Sequence, residues 1–275
     1  MDIACADTTE KRASLVDFDL ARWLGHFARN RQRRPEPNWL APLQVPAIAL
    51  PGLRQSMMEF QLGDGGGPAS LIAWNRTTLF AQSDELRRVI DAWFLEEKEH
   101  SRLLGCVVDR LGGGRISTHW SFRLFCAVRR VVGVRGELQI LTVTELTSTV
   151  YYTLLLRHCD DEALRQALTL ILRDEAGHLA FHRERLTATL KPRAPLVRLF
   201  HRIQFWLSGI TAASVLWTSH NRTARALGAT HIEFARAVHH EIGRFLLRLD
   251  RRCQERSACR KSETGSDITR LSTRA

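Results

Sequence analysis

Apolar residues recur at three- and four-residue spacing along almost all of this 275-residue chain. No stretch of Val, Ile and Thr builds a convincing alternating strand. The periodicity therefore dictates an all-α fold. A first helix is expected over Ala13 to Gln32. Pro35, Pro37, Pro42 and Pro46 then forbid a continuous helix. Helical character returns over Leu53 to Leu62, breaks at Gly63 and the Gly65-Gly66-Gly67-Pro68 run, and resumes from Ala69 to Phe80. Ser83 is a good N-cap, with Asp84 and Glu85 placed to favour the first turn. The helix it opens stops at Gly112-Gly113-Gly114. Shorter and longer helices follow over Trp120 to Val131 and Gly136 to His158. Asp160 or Asp161 caps the next, which continues to Leu190. The turn at Cys159 is so short that its two flanking helices must be antiparallel neighbours. Two more helices, Val197 to His220 and His231 to Arg251, precede a Ser-, Thr- and Arg-rich tail expected to be disordered.

Composition narrows the class further. At 44% hydrophobic and 25% charged, the chain has material for a sizeable core, which excludes wholesale disorder. No apolar run reaches the roughly 18–20 residues of a membrane span. Met1 to Asp7 lack the basic and apolar regions of a signal peptide, so a cytoplasmic location is expected. The six cysteines show no Cys-x-x-Cys spacing and fit the same reducing compartment. The formal charge is +11, but the bases are nearly all Arg and spread along the whole chain. Charge alone is thus a weak argument for nucleic acid. Acids are the scarcer resource, and their placement is the informative question.

Two Glu-x-x-His motifs answer it: Glu97-Lys98-Glu99-His100 and Glu175-Ala176-Gly177-His178. At i and i+3 the carboxylate and imidazole share one helix face and can bind one metal ion, or the Glu can bridge two. Trp93, Leu104 and Val107 share the face of the first pair; Leu168, Ile171, Leu172 and Leu179 surround the second. Ionisable groups on an inward face are expensive unless paired or bound to metal. On the helix between the motifs the only acid in the interior is Glu145, in Leu141-Thr142-Val143-Thr144-Glu145-Leu146.

This ligand pattern resembles the ferritin-like di-iron carboxylate superfamily, which includes rubrerythrins, di-iron monooxygenases and acyl-carrier desaturases. The resemblance spans about Leu53 to Leu190 and implies a ferritin-like four-helix bundle with additional N- and C-terminal helices. Residues 1–46 would form an N-terminal helix and Pro-rich linker, 47–251 the helical domain, and 252–275 a basic tail. By position, Glu97 and His100 match the second-helix ligands, Glu145 the third-helix carboxylate, and Glu175 and His178 the fourth-helix pair. Glu97 and Glu175 would then bridge two iron ions, with manganese as the alternative metal. Asp64 stands where the family expects a first-helix Glu, 33 residues before Glu97. It is one methylene shorter than Glu and lies in a glycine-rich break; Glu59 is the fallback.

The resemblance also implies supporting residues. Asp174, just before Glu175, matches a carboxylate that orients a ligand His across the bundle. Glu96 holds the corresponding position, where an exposed ion pair is the simpler reading. His182 reads as a capped or partly exposed His rather than an extension of the site. Thr149, one turn beyond Glu145, matches a Thr lining the oxygen pocket, against the alternative of a hydroxyl bonded back to its own helix. Tyr151 and Tyr152 read as core residues. The implied activity is oxidation of an organic substrate, by hydroxylation or desaturation, with O2 and a partner reductase. The flanking helices could wall a substrate pocket or a homodimer interface. Two other readings remain: a di-iron hydroxylase acting on RNA through Arg29, Arg31, Arg33 and Arg34, and a non-enzymatic metal-binding protein with a degraded site.

Overall fold

A computed structural model describes residues 18–67, 69–189 and 195–272. The described residues are helical with no strand, in the order α1 (Leu20–Gln32), α2 (Leu50–Gln61), α3 (Arg76–Phe80), α4 (Asp84–Arg110), α5 (Trp120–Val131), α6 (Gly133–His158), α7 (Glu162–Thr189), α8 (Pro195–Ala226) and α9 (His231–Ser272). The start of the expected first helix, Ala13 to Asp17, and the end of the seventh at Leu190 lie outside the described residues. None of the described helices is long and apolar enough to cross a membrane.

Local chemistry sets the boundaries. The Asp19 carboxylate accepts from the Arg22 amide at 2.8 Å to cap α1, and Ser83 accepts from the Leu86 amide at 3.3 Å to cap α4. Of the two candidate caps for α7, Asp161 does the work, accepting from the Leu164 amide at 3.0 Å. Its second oxygen takes the Gln44 amide and the Arg110 guanidinium, which ties the Pro-rich linker to α4 and α7.

Two expectations are corrected. Residues 69–75 are not helical; helix forms only at α3. The Ile72 and Ala73 amides donate instead to the buried Glu137 carboxylate at 2.7 and 2.8 Å, and Arg129 neutralises that carboxylate. A buried charge with two oriented donors outweighs the weak intrinsic preference of a short helix. At the other end, the backbone of α9 stays helical past Arg251 to Ser272.

Helices α2, α4, α7 and α6 pack in sequence, α2 on α4, α4 on α7 and α7 on α6. Phe60 of α2 meets Tyr151 and Tyr152 of α6 at ring separations of 5.3 and 4.8 Å, which closes the four-helix ring. Helices α8 and α9 lie on its outside against α6, and α1 lies on α4.

The interior divides into two apolar clusters. One is built around Leu53, Leu103, Leu104, Leu146, Tyr151, Ile171 and the outer helices. The other holds Trp23, Phe27, Leu86, Ile90, Trp93, Leu138, Leu141 and Phe181. Along α4 the boundary falls between Phe94 and Leu103, along α6 between Leu141 and Val143–Leu146, and along α7 between Ile171 and Phe181. Glu97 and His100 occupy the interval on α4 and Glu175 and His178 that on α7, while Glu145 lies just past the boundary on α6, between Val143 and Leu146. The charged residues thus form one layer across the bundle, with apolar packing on both sides.

Candidate metal centre

Each element delivers its side chain for a local reason. Along α4 and α7 the i, i+3 spacing turns carboxylate and imidazole to one side. Glu145 enters from α6 among Leu141, Leu146 and Val150. Asp64 arrives differently, because α2 widens after Gln61 into a π-type turn over Leu62–Gly66 that places Asp64 outside helical geometry. Gly65 follows with φ +117°, and a Cβ there would sit 3.0 Å from the Glu97 carbonyl oxygen. Glycine is required twice over, for the backbone sign and for the close approach to α4. Gly65→Ala is expected to lower stability by about 1–3 kcal/mol, measured as a shift in the urea midpoint. A midpoint unchanged from the parent would mean that the turn does not hold Asp64 against α4.

The structure brings the sequence-derived candidates together. Carboxylate or imidazole atoms of Glu97, Glu145, Glu175 and His178 lie within 4.8 Å of one another. His178 Nδ1 is 3.0 Å from Glu97 and 3.5 Å from Glu175. His100 Nδ1 is 3.6 Å from Glu97 and 3.5 Å from Glu175. The two imidazoles therefore face the same pair of carboxylates. Asp64 completes the group electrostatically: burial pushes its carboxyl up to about 8, reinforced by Glu97 and Glu175 and offset by His100 and a hydrogen bond from Tyr152. Burial, with Glu175 and Glu97 beside it, raises the Glu145 carboxyl well above the usual range. Burial also acts to raise Glu97, but the charge of His178 and the close approach of both imidazoles overcome it and hold this carboxyl low.

Behind the layer lies a crossed support. His178 Nε2 is 2.9 Å from Glu96, the residue before Glu97. His100 Nε2 is 3.5 Å from Asp174, the residue before Glu175. Each imidazole faces the acid preceding the opposite motif, His178 within hydrogen-bond distance and His100 at ion-pair distance only. Arg34 joins the two acids, at 2.9 Å from Glu96 and 2.7 Å from Asp174. Three sequence readings change here. Glu96 is buried rather than exposed, and Arg34, grouped with surface arginines, has a side chain only 9% exposed. Only Arg29, Arg31 and Arg33 of that group remain outside. His182 is fully buried, with Nε2 3.2 Å from Glu145. Burial, then the charges of Arg185 and His178, keep His182 neutral by depressing its pKa far below the usual value.

Comparison with family models, with curated proteins and with solved structures gives no match. The site must speak for itself.

Thr149 stands apart from the cluster. Its hydroxyl donates to the Leu146 carbonyl at 2.8 Å, the local back-bond, and its side chain lines a cavity between α6, α7 and α9. Tyr152 does more than fill the core: its hydroxyl donates to Asp64 Oδ2 at 2.7 Å. Glu59 belongs elsewhere, facing His119 at 3.5 Å and His220 at 3.8 Å. The N-terminal helix also contributes, since Phe27 lies 6.1 Å from the His178 ring and 5.9 Å from Phe181. With Trp23 and Trp93 it forms an aromatic roof that excludes water from the imidazoles.

Among the buried atoms without a hydrogen-bond partner are His100 Nδ1, His178 Nδ1, Glu145 Oε2 and Glu175 Oε2. All four belong to the carboxylate layer. Orphaned polar atoms cost about 1–3 kcal/mol each, and a cluster of them implies a missing partner. Oxygen and imidazole donors in this mixture suit divalent transition metals. The residues present fit a metal centre.

Proposed function

We propose that this protein is a ferritin-like di-metal carboxylate protein, with Asp64, Glu97, His100, Glu145, Glu175 and His178 as ligands. The observation that carries the reading is the crossed arrangement of the two motifs. Both Nδ1 atoms face Glu97 and Glu175, while the Nε2 atoms face Glu96 and Asp174, that of His178 at 2.9 Å and that of His100 at 3.5 Å. An imidazole fixed by a carboxylate through one nitrogen presents the other as a ligand of set direction and raised basicity. Glu97 and Glu175, faced by both imidazoles, would be the carboxylates shared between two ions. Glu145 and His178 would serve one ion, and Asp64 and His100 the other. Four ionised carboxylates match the charge of two divalent ions, which removes the repulsion that otherwise burdens the layer.

Iron is the proposed metal, since its bound form supplies electrons for reduction of O2; manganese suits the same donors. The chain's own residues set the conditions for that chemistry. Glu96, Asp174 and Arg34 orient the imidazoles. The Tyr152 hydroxyl donates to Asp64 Oδ2 at 2.7 Å, and His182 Nε2 lies 3.2 Å from Glu145. Trp23, Phe27, Trp93 and Phe181 keep the layer dry, which strengthens every charge interaction in it. The proposed activity is O2-dependent oxidation of an organic substrate, with electrons from a separate reductase.

The test is metal loading of the full chain under anaerobic conditions. About two Fe(II) per chain are expected, with a chromophore on exposure to oxygen. In His178→Ala both metal content and melting temperature should fall. Retention of both at parental levels would show that the imidazole is a buried structural residue and that the di-metal reading is wrong.

A further inference from the structure

Outside the metal layer, helices α6, α7 and α9 enclose a cavity of about 660 Å³. This lies within the ~300–1,000 Å³ range of small-molecule sites. Its floor is apolar, formed by Leu146, Val150 and Leu154 of α6, Leu172 and Leu179 of α7, and Phe245 of α9. Its rim is cationic, formed by Arg157, Arg183, Arg236, Arg244 and Arg248.

The charges on this rim are not balanced. Glu233 is occupied by Arg157 and His158, and Glu241 by Arg244. Arg183, Arg236 and Arg248 have no acidic partner within ion-pair distance among the described residues. Arg183 is partly buried, and its guanidinium lies close enough to Arg244, Arg248 and Arg252 to feel their repulsion. Arg183 and the exposed Arg236, Arg244 and Arg248 line one concave mouth above an apolar floor.

We propose that this cavity binds an amphiphilic anion: an apolar chain or ring on the floor, with a terminal carboxylate or phosphate among Arg183, Arg236 and Arg248. Guanidinium forks match both headgroups, and the apolar floor gains from covering the tail. Its position gives the site a use. Leu146, Ala176 and Leu179 line the cavity and are the chain neighbours of Glu145, Glu175 and His178. A tail lying on this floor is one layer of side chains from the carboxylate centre. That it is the molecule oxidised rests on the di-metal reading; that it binds does not.

The experiment is calorimetric titration of the full-length metal-free chain, below micelle-forming concentrations, with decanoate, decyl phosphate, decanol and inorganic phosphate. Decanoate or decyl phosphate should bind saturably at one per chain, and their relative affinities identify the headgroup. Decanol and inorganic phosphate should each bind at least tenfold more weakly. Arg183→Gln with Arg248→Gln should weaken the anion at least tenfold, and Val150→Trp, which fills the floor, should abolish binding with helical content retained. Iron uptake of the arginine variant should equal that of the parent. Equal affinity for decanol and decanoate, or indifference to both sets of substitutions, would overturn the proposal. Anion binding in a chain that takes up no iron would leave it standing while removing the di-metal reading.

Discussion

Arg34→Met should lower the melting temperature on the order of 10 °C, from a loss of about 3–5 kcal/mol. Arg34 lies 2.9 Å from Glu96 and 2.7 Å from Asp174, whose side chains are 4% and 1% exposed. Without it two buried carboxylates face each other with one cation fewer; Arg173, itself half-exposed, reaches only Asp174. The loss should extend to metal affinity, because Glu96 and Asp174 orient His178 and His100. Arg34→Lys should recover part of both: the two contacts come from one guanidinium nitrogen, Nη2, which an ammonium can stand in for, but as a more strongly hydrated point charge on a shorter reach. Thermal unfolding and bound iron are the two readings. A variant with parental values in both would place Arg34 at the surface, as its three basic neighbours suggest, and would dismantle the crossed support.

Glu145→Gln should separate metal from fold. Burial and the neighbouring Glu175 and Glu97 favour the protonated form of Glu145 when no ion is bound. An isosteric amide then replaces an acid whose charged form burial already disfavours, so the metal-free melting temperature should move little. The loaded protein should behave otherwise. A tightly bound ion stabilises by about 2.7 kcal/mol at a hundredfold excess over its Kd, and the variant should lose most of that increment along with one metal. The comparison needs only melting curves with and without Fe(II). If parent and variant gain equally from the ion, Glu145 is not a ligand.

The proposed ligands were legible in the sequence for reasons that differ from one to the next. The two Glu-x-x-His pairs stand out because helical geometry converts a spacing of three into a shared face. Glu145 stands out by contrast, as a charge inside an apolar helix. Asp64 was reachable only through the spacing of a family resemblance, because glycines that should break the helix in fact turn the carboxylate inward. The support was harder to see. Glu96 and Asp174 occupy equivalent places in the two motifs, and that symmetry was a usable signal for Glu96. Arg34 carried none, since nothing local distinguishes it from Arg31 or Arg33; its partners are 62 and 140 residues away (96 − 34 and 174 − 34). His182 was underrated because i+4 from a ligand is equally the spacing of a surface row. Residues 69–75 misled for the opposite reason, their helical pattern yielding to a carboxylate on α6.

The charged layer between two apolar cores has a mechanical meaning. The long helices α4, α6 and α7 run through both cores, but side-chain packing is interrupted where they cross the layer. Without ions that interruption is a seam held by imidazole–carboxylate contacts and by Arg34 between Glu96 and Asp174, in place of apolar packing. Two divalent ions would turn the seam into the strongest cross-link in the bundle, binding four elements at one level. Metal occupancy would then set whether the two cores unfold as one cooperative unit or as two.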